Sequence, residues 1–162
     1  MVLLCACHES DNEQILDQLD QVIESKGLYA VRFERRVDSL RRELCTASDD
    51  TMRWRTANRL FDSYITYNID TAARYVALMY DLAEHTGRRD MKFLSTTCDI
   101  SVLIGRNNIE DAYDRIRSLD TAGITKRMRA NYYTQQMVVY GRLASQNLSL
   151  IHISEPTRRR GI

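Results

Sequence analysis

Asn68-Ile69-Asp70-Thr71-Ala72 and Asn108-Ile109-Glu110-Asp111-Ala112 stand forty positions apart (112 − 72 = 40), and their likeness decides how the rest of the chain is read. At the same offset Val76 matches Ile116 and Leu60 matches Ile100. A small residue at the shared position, Ala72 or Ala112, lets the first helix of a hairpin approach the second closely. Hairpins of this kind cannot bury their apolar faces alone, so they stack and leave a groove. The period is somewhat longer than the ~34 residues of the tetratricopeptide (TPR) repeat and within the range of helical-hairpin arrays. A non-repeating helical bundle is the alternative reading.

Working outward, apolar residues recur at helical spacing along the chain. A first helix over about Asp11–Ser25 aligns Ile15, Leu16, Leu19, Val22 and Ile23, and Gly27 is expected to break or bend the chain after it. A second, about Leu28–Thr46, carries Tyr29, Phe33, Val37, Leu40 and Leu44 opposite an Arg- and Glu-rich face. Ser48-Asp49-Asp50 supplies a cap and first-turn acids for a third, about Asp49–Tyr67, which buries Ala57, Leu60, Phe61 and Tyr64. Asn68 or Asp70 caps the fourth, about Asp70–Thr86, and Gly87 ends it. The fifth spans about Arg89–Ile104 and the sixth about Ile109–Leu119. The seventh, about Ile124–Ser145, presents Ala130, Tyr133, Met137 and Tyr140. The expected fold is all-α: about seven helices in antiparallel hairpins, stacked as a TPR-like right-handed solenoid.

Composition agrees. One Pro and six Gly in 162 residues leave little punctuation for a β-rich fold. The 23 basic and 22 acidic residues become 20 and 21 once Arg158, Arg159, Arg160 and Glu155 are set aside, so no electrostatic footprint for nucleic acid is present. The chain lacks CxxC, HExxH and glycine-rich phosphate loops, and its three histidines, His8, His85 and His152, are scattered. No catalytic residue, metal site or cofactor is expected. Cys45 and Cys98 read as small buried hydrophobes on helical faces.

Both ends differ from the middle. Leu4-Cys5-Ala6-Cys7 resembles the close of a bacterial lipoprotein signal, in which Cys7 would carry the lipid, although only six residues precede it. At the other end, Leu148 to Arg158 resembles a sequencing-library adapter translated as coding sequence, and its alternation departs from the preceding helical period. The expected division is therefore 1–10 as a signal remnant, 11–147 as the helical domain and 148–162 as a non-native tail, with natural sequence lost beyond Asn147. No run of ~20 apolar residues occurs.

Nine tyrosines recur at helical spacing. Core filling is their ordinary use, whereas Tyr64, Tyr67, Tyr132 and Tyr133 are candidates to line a groove for a protein, peptide or glycan.

The residues Leu19 to Lys26, Arg36 to Arg41, Phe61-Asp62-Ser63-Tyr64 with Asp70-Thr71-Ala72 and Tyr75, and Ala130-Asn131-Tyr132-Tyr133 together resemble the N-terminal region of TPR-type envelope regulators of Bacteroidota. The resemblance covers about Asp11 to Asn147. It implies a sensor outside the cytoplasm, joined in the full protein to a membrane helix and a cytoplasmic coiled-coil and DNA-binding part. Cys7 departs from that plan and supports instead a lipoprotein acting as an assembly scaffold. Either way the expected setting is the periplasmic side of the cell envelope.

Overall fold

A computed structural model describes the backbone over residues 9–154 and the side chains over residues 14–146. Cys7 lies outside the described residues. Within them the fold is all-α, with the order α1 (Glu9–Glu24), α2 (Lys26–Thr46), α3 (Asp50–Tyr64), α4 (Ile69–Thr86), α5 (Arg89–Gly105), α6 (Ile109–Arg117) and α7 (Lys126–Ser154). No described helix is long and apolar enough to cross a membrane.

The chain forms two compact units, one up to Ser39 and one from Leu40 onward. In the first, Ser25 alone separates α1 from α2. Its N–H donates to the Gln21 carbonyl at 3.0 Å, and its own carbonyl accepts from Leu28 and Tyr29, so helical bonding passes through the junction. Gly27 therefore lies inside α2 and does not break the chain. A mid-helix glycine costs only about 1 kcal/mol, which this continuous bonding outweighs. The α1 stripe is not core: Ile15, Leu16, Leu19, Val22 and Ile23 are all exposed.

In the second unit each helix from α3 to α7 packs on the next, and α5 also packs on α7. Local chemistry fixes the boundaries. The Asp49 side chain accepts from the Met52 N–H at 2.9 Å and so starts α3, and Asn68 does the same for α4 through the Thr71 N–H at 2.9 Å. Gly87, at φ +64°, ends α4 in the left-handed conformation that a Cβ disfavours. At the end of α5, Asn107 takes φ +58°, with its N–H on the Ile104 carbonyl and the Asn108 N–H on the Leu103 carbonyl. That crossed pair satisfies two of the last carbonyls of the helix. The repeat is not literal in its chemistry, because Asn108 makes no side-chain cap and its amide donates to Asp111. Arg106 links the two hairpins by pairing with Asp70 at 2.6 Å.

Leu60, Ile100, Ala72, Ala112, Val76 and Ile116 are all buried. Ile100, Ala112, Ile116 and Val139 form one cluster, with Tyr113, Tyr132 and Leu143 packed against it.

Three expectations are corrected. Cys45 is exposed rather than buried. The inward face of α7 carries Met128, Tyr132, Val139 and Leu143, whereas Tyr133, Met137 and Tyr140 face solvent and Ala130 is exposed. Two apolar stripes compete on that helix, and the one holding Val139 and Tyr132 fills the space beside Ile100 and Ala112. The backbone of α7 stays helical through Ser154, beyond the end expected near Ser145.

Candidate functional site

The inner faces of α3, α5 and α7 bound a groove of about 710 Å³. Its lining from α3 includes Thr51, Arg55, Asn58 and Asp62 at steps of four, three and four, a polar stripe running beside the buried one. From α7 it takes Arg127, Asn131, Thr134 and Gln135 at the same kind of spacing. Between them α5 contributes Leu94, Cys98 and Ser101.

Beneath this surface the aromatic rings are used for structure. Trp54 and Phe61 are buried, and the Trp54 indole N–H donates to Ser95 Oγ at 3.0 Å. Ser95 in turn donates to the Met91 carbonyl at 2.9 Å, so a fully buried hydroxyl is satisfied on both sides. Both rings reach the groove wall, each with only a small edge accessible.

The charges divide into engaged and available. Arg59 Nη1 donates to both carboxylate oxygens of Glu43 at 2.8 Å. Arg88 holds Asp90 in a bidentate pair at 3.1 and 2.7 Å, and that hydrogen bond keeps the Asp90 carboxyl below the usual carboxylate range. Arg55 and Arg127, by contrast, make no ion pair within 4.0 Å among the described residues. Loss of water around Asp62 raises its carboxyl above the ordinary value, and the more distant Arg127 opposes that rise.

The amides add directional hydrogen bonding. Asn58 Nδ2 lies 3.5 Å from Asp62 Oδ2, and Cys98 Sγ lies 3.5 Å from Asn58 Oδ1. Gln135 Nε2 donates to Ser101 Oγ at 2.8 Å, tying α7 to α5. Burial pushes the Cys98 thiol up to about 12, with the charges of Asp62 and Asp99 adding to the effect. Such a thiol holds its proton at neutral pH and is a poor nucleophile. Among the described residues no group of three or more His, Cys, Asp and Glu is placed to hold a metal.

The four tyrosines proposed from the sequence do not line this groove. Tyr64 is buried, accepts a hydrogen bond from Arg41 at 2.7 Å and stacks on Tyr75 with ring centroids 5.8 Å apart. Tyr67 is exposed in the turn after α3. Tyr132 packs into the Ile100 cluster, and Tyr133 meets it edge-on from the solvent side. The lining residues Arg55, Asn58, Arg127 and Asn131 went unread because polar residues at helical spacing look the same on a groove as on any wet face.

Stacked antiparallel hairpins with a polar groove along the first helix of each define a helical-repeat interaction module. The particular family follows from comparison: the model of the SusR N-terminal TPR domain matches residues 23–151, and this chain belongs to that family, the TPR region of SusR-type regulators of Bacteroidota. The match extends into the segment from Leu148 that the sequence reading had set aside. Comparison with curated proteins and with solved structures gives no match. Repeats of this class are generally non-catalytic interaction modules.

Proposed function

We propose that this chain is the extracytoplasmic sensing module of a membrane-anchored transcriptional regulator, with the groove between α3, α5 and α7 taking its ligand. The observation that carries the reading is the pair of uncommitted guanidinium groups, Arg55 and Arg127, set among the amides of Asn58, Asn131 and Gln135 in a family of regulator domains. Bidentate cations with neighbouring amides suit a peptide or protein segment that brings carboxylates and backbone carbonyls. Trp54 and Phe61 reach the groove with little of their ring faces accessible, which disfavours a glycan that binds by stacking on aromatic faces. Regulation, not catalysis, is the role.

Protease added to intact spheroplasts carrying the complete gene tests this. Digestion of the module while a cytoplasmic marker survives is the expected result, together with a membrane span and a DNA-binding segment in the continuing reading frame. Protection until lysis overturns the assignment. The second reading, an envelope lipoprotein that scaffolds assembly, is favoured by Leu4-Cys5-Ala6-Cys7. It requires incorporation of labelled fatty acid that Cys7→Ser abolishes.

A further inference from the structure

Apart from the groove, the most unusual surface belongs to the first unit. Ile15, Leu19 and Val22 follow at steps of four and three, and the same alternation continues through Lys26 to Tyr29. That is a 3.5-residue period, the spacing of a two-helix coiled-coil seam. On α1, Ile15, Leu16, Leu19, Val22 and Ile23 are 51–60% exposed; on α2, Leu28, Tyr29 and Val31 are 48–61% exposed. Six of these side chains, Ile15, Leu16, Leu19, Val22, Ile23 and Tyr29, share one face, whereas Leu28 and Val31 fall on the other side of the helix. At about half exposure the six present on the order of 600 Å², approaching the ~800 Å² each partner contributes to a stable interface. Monomers seldom leave a contiguous apolar patch of more than a few hundred Å² in water.

The helices cannot cover this surface themselves. Two antiparallel helices need a loop of about 2–5 residues, and here only Ser25 intervenes, with helical hydrogen bonds running through it. Charge selects the partner. Residues 14–24 carry Asp17, Asp20 and Glu24 and no base, whereas residues 26–36 carry Lys26, Arg32, Arg35 and Arg36 against Glu34. An acidic α1 is poorly suited to an anionic membrane, and a parallel pairing of two copies sets acid against acid. An antiparallel pairing sets the acidic half of each copy on the basic half of the other.

We infer that this arm is a homodimerisation surface, on which a second copy of the chain lies antiparallel about a two-fold axis near Glu24. The seam is self-complementary about that point. Leu19 faces the partner's Tyr29, and Val22 covers the aliphatic stem of the partner's Lys26, leaving its ammonium near the acids of α1. A closed two-fold contact of this kind uses the same patch on both copies and stops at two. The inference is independent of what the groove binds.

Sedimentation equilibrium of the 162-residue chain over a concentration series tests it. The expected mass is twice 18.9 kDa. Leu19→Glu with Val22→Glu should return the single-chain mass while far-ultraviolet circular dichroism keeps its helical signal. Lys26→Glu, a charge reversal at an exposed position, should weaken the dimer at least tenfold. With the four native cysteines replaced by serine, Leu19→Cys with Tyr29→Cys should give a disulfide-linked dimer on mild oxidation, whereas Leu19→Cys alone should not. A chain that stays monomeric throughout, including one that binds vesicles as a monomer, overturns the inference. So does a dimer that survives the double Glu variant, or one crosslinked equally well by Leu19→Cys alone.

Discussion

Trp54 and Ser95, one on α3 and one on α5, meet through an indole N–H to hydroxyl hydrogen bond of 3.0 Å in the buried floor of the groove. The contact fixes the spacing of the two helices from which most of the lining projects. Ser95→Ala removes the acceptor and leaves a buried donor unpaired, which costs about 1–3 kcal/mol. Urea unfolding followed by the emission of Trp54, the one tryptophan, should show that loss.

Ala112 is fully buried beside Ile100, Ile116 and Val139. Ala112→Leu forces extra methylenes into that cluster, and overpacking of this kind destabilises by about 1–3 kcal/mol. Ala112→Gly should also destabilise, by about 1 kcal/mol from helix propensity. A lower thermal midpoint for both variants is the expected result, and a more stable Leu variant would show that the two helices have room to spare.

Gly87 closes α4 at φ +64°, with open space around the position of a Cβ. Gly87→Ala therefore suffers no clash, only the left-handed backbone, at about 1–2 kcal/mol. The shift in urea midpoint without a change in slope measures it. Asn107, in the same conformation, should gain a few tenths of a kcal/mol from Asn107→Gly or be neutral.

The thiols should separate by reactivity. Cys98, raised to about 12, should resist alkylation at pH 8 until the chain unfolds, while exposed Cys45 is modified first. Mass spectrometry after a short iodoacetamide pulse, with Cys5 and Cys7 replaced by serine, reads the order directly.

Asp62 and Asp99 both have folded-state pKa values raised by lost hydration. The native state then binds their protons more readily than the unfolded chain does. The contribution of these two groups to stability falls as pH climbs from the ordinary 3.8 through the raised values, and is level above them. Asp62→Asn should flatten part of that descent, and urea midpoints measured between pH 3 and pH 7 should converge with wild type at the acid end.

The helical hairpins and their register were legible because burial leaves a period: Leu60, Ala72, Val76 and their partners forty positions on could be read by spacing alone. Caps were legible to within a residue or two: Gly87 as read, Asn68 as one of two candidates, and Asp49 within the stretch Ser48-Asp49-Asp50. What escaped the sequence depends on which of two stripes meets a neighbour. On α7, Tyr133 and Met137 looked as inward as Tyr132 and Val139, and only packing against Ile100 decides between them. A groove was expected, but its lining was not legible, since Arg55, Asn58 and Arg127 differ from solvent-facing residues only in what lies across from them.

Helix α5 touches α4, α6 and α7, whereas every other member of the second unit has fewer such neighbours. Its removal would separate α3 and α4 from α6 and α7, so opening should begin at α3 and α7 and reach α5 last. Backbone amides of Ile100 and Val102 should accordingly be the slowest in the molecule to exchange with deuterium, outlasting those of α3 and α7 under every condition that keeps the chain folded.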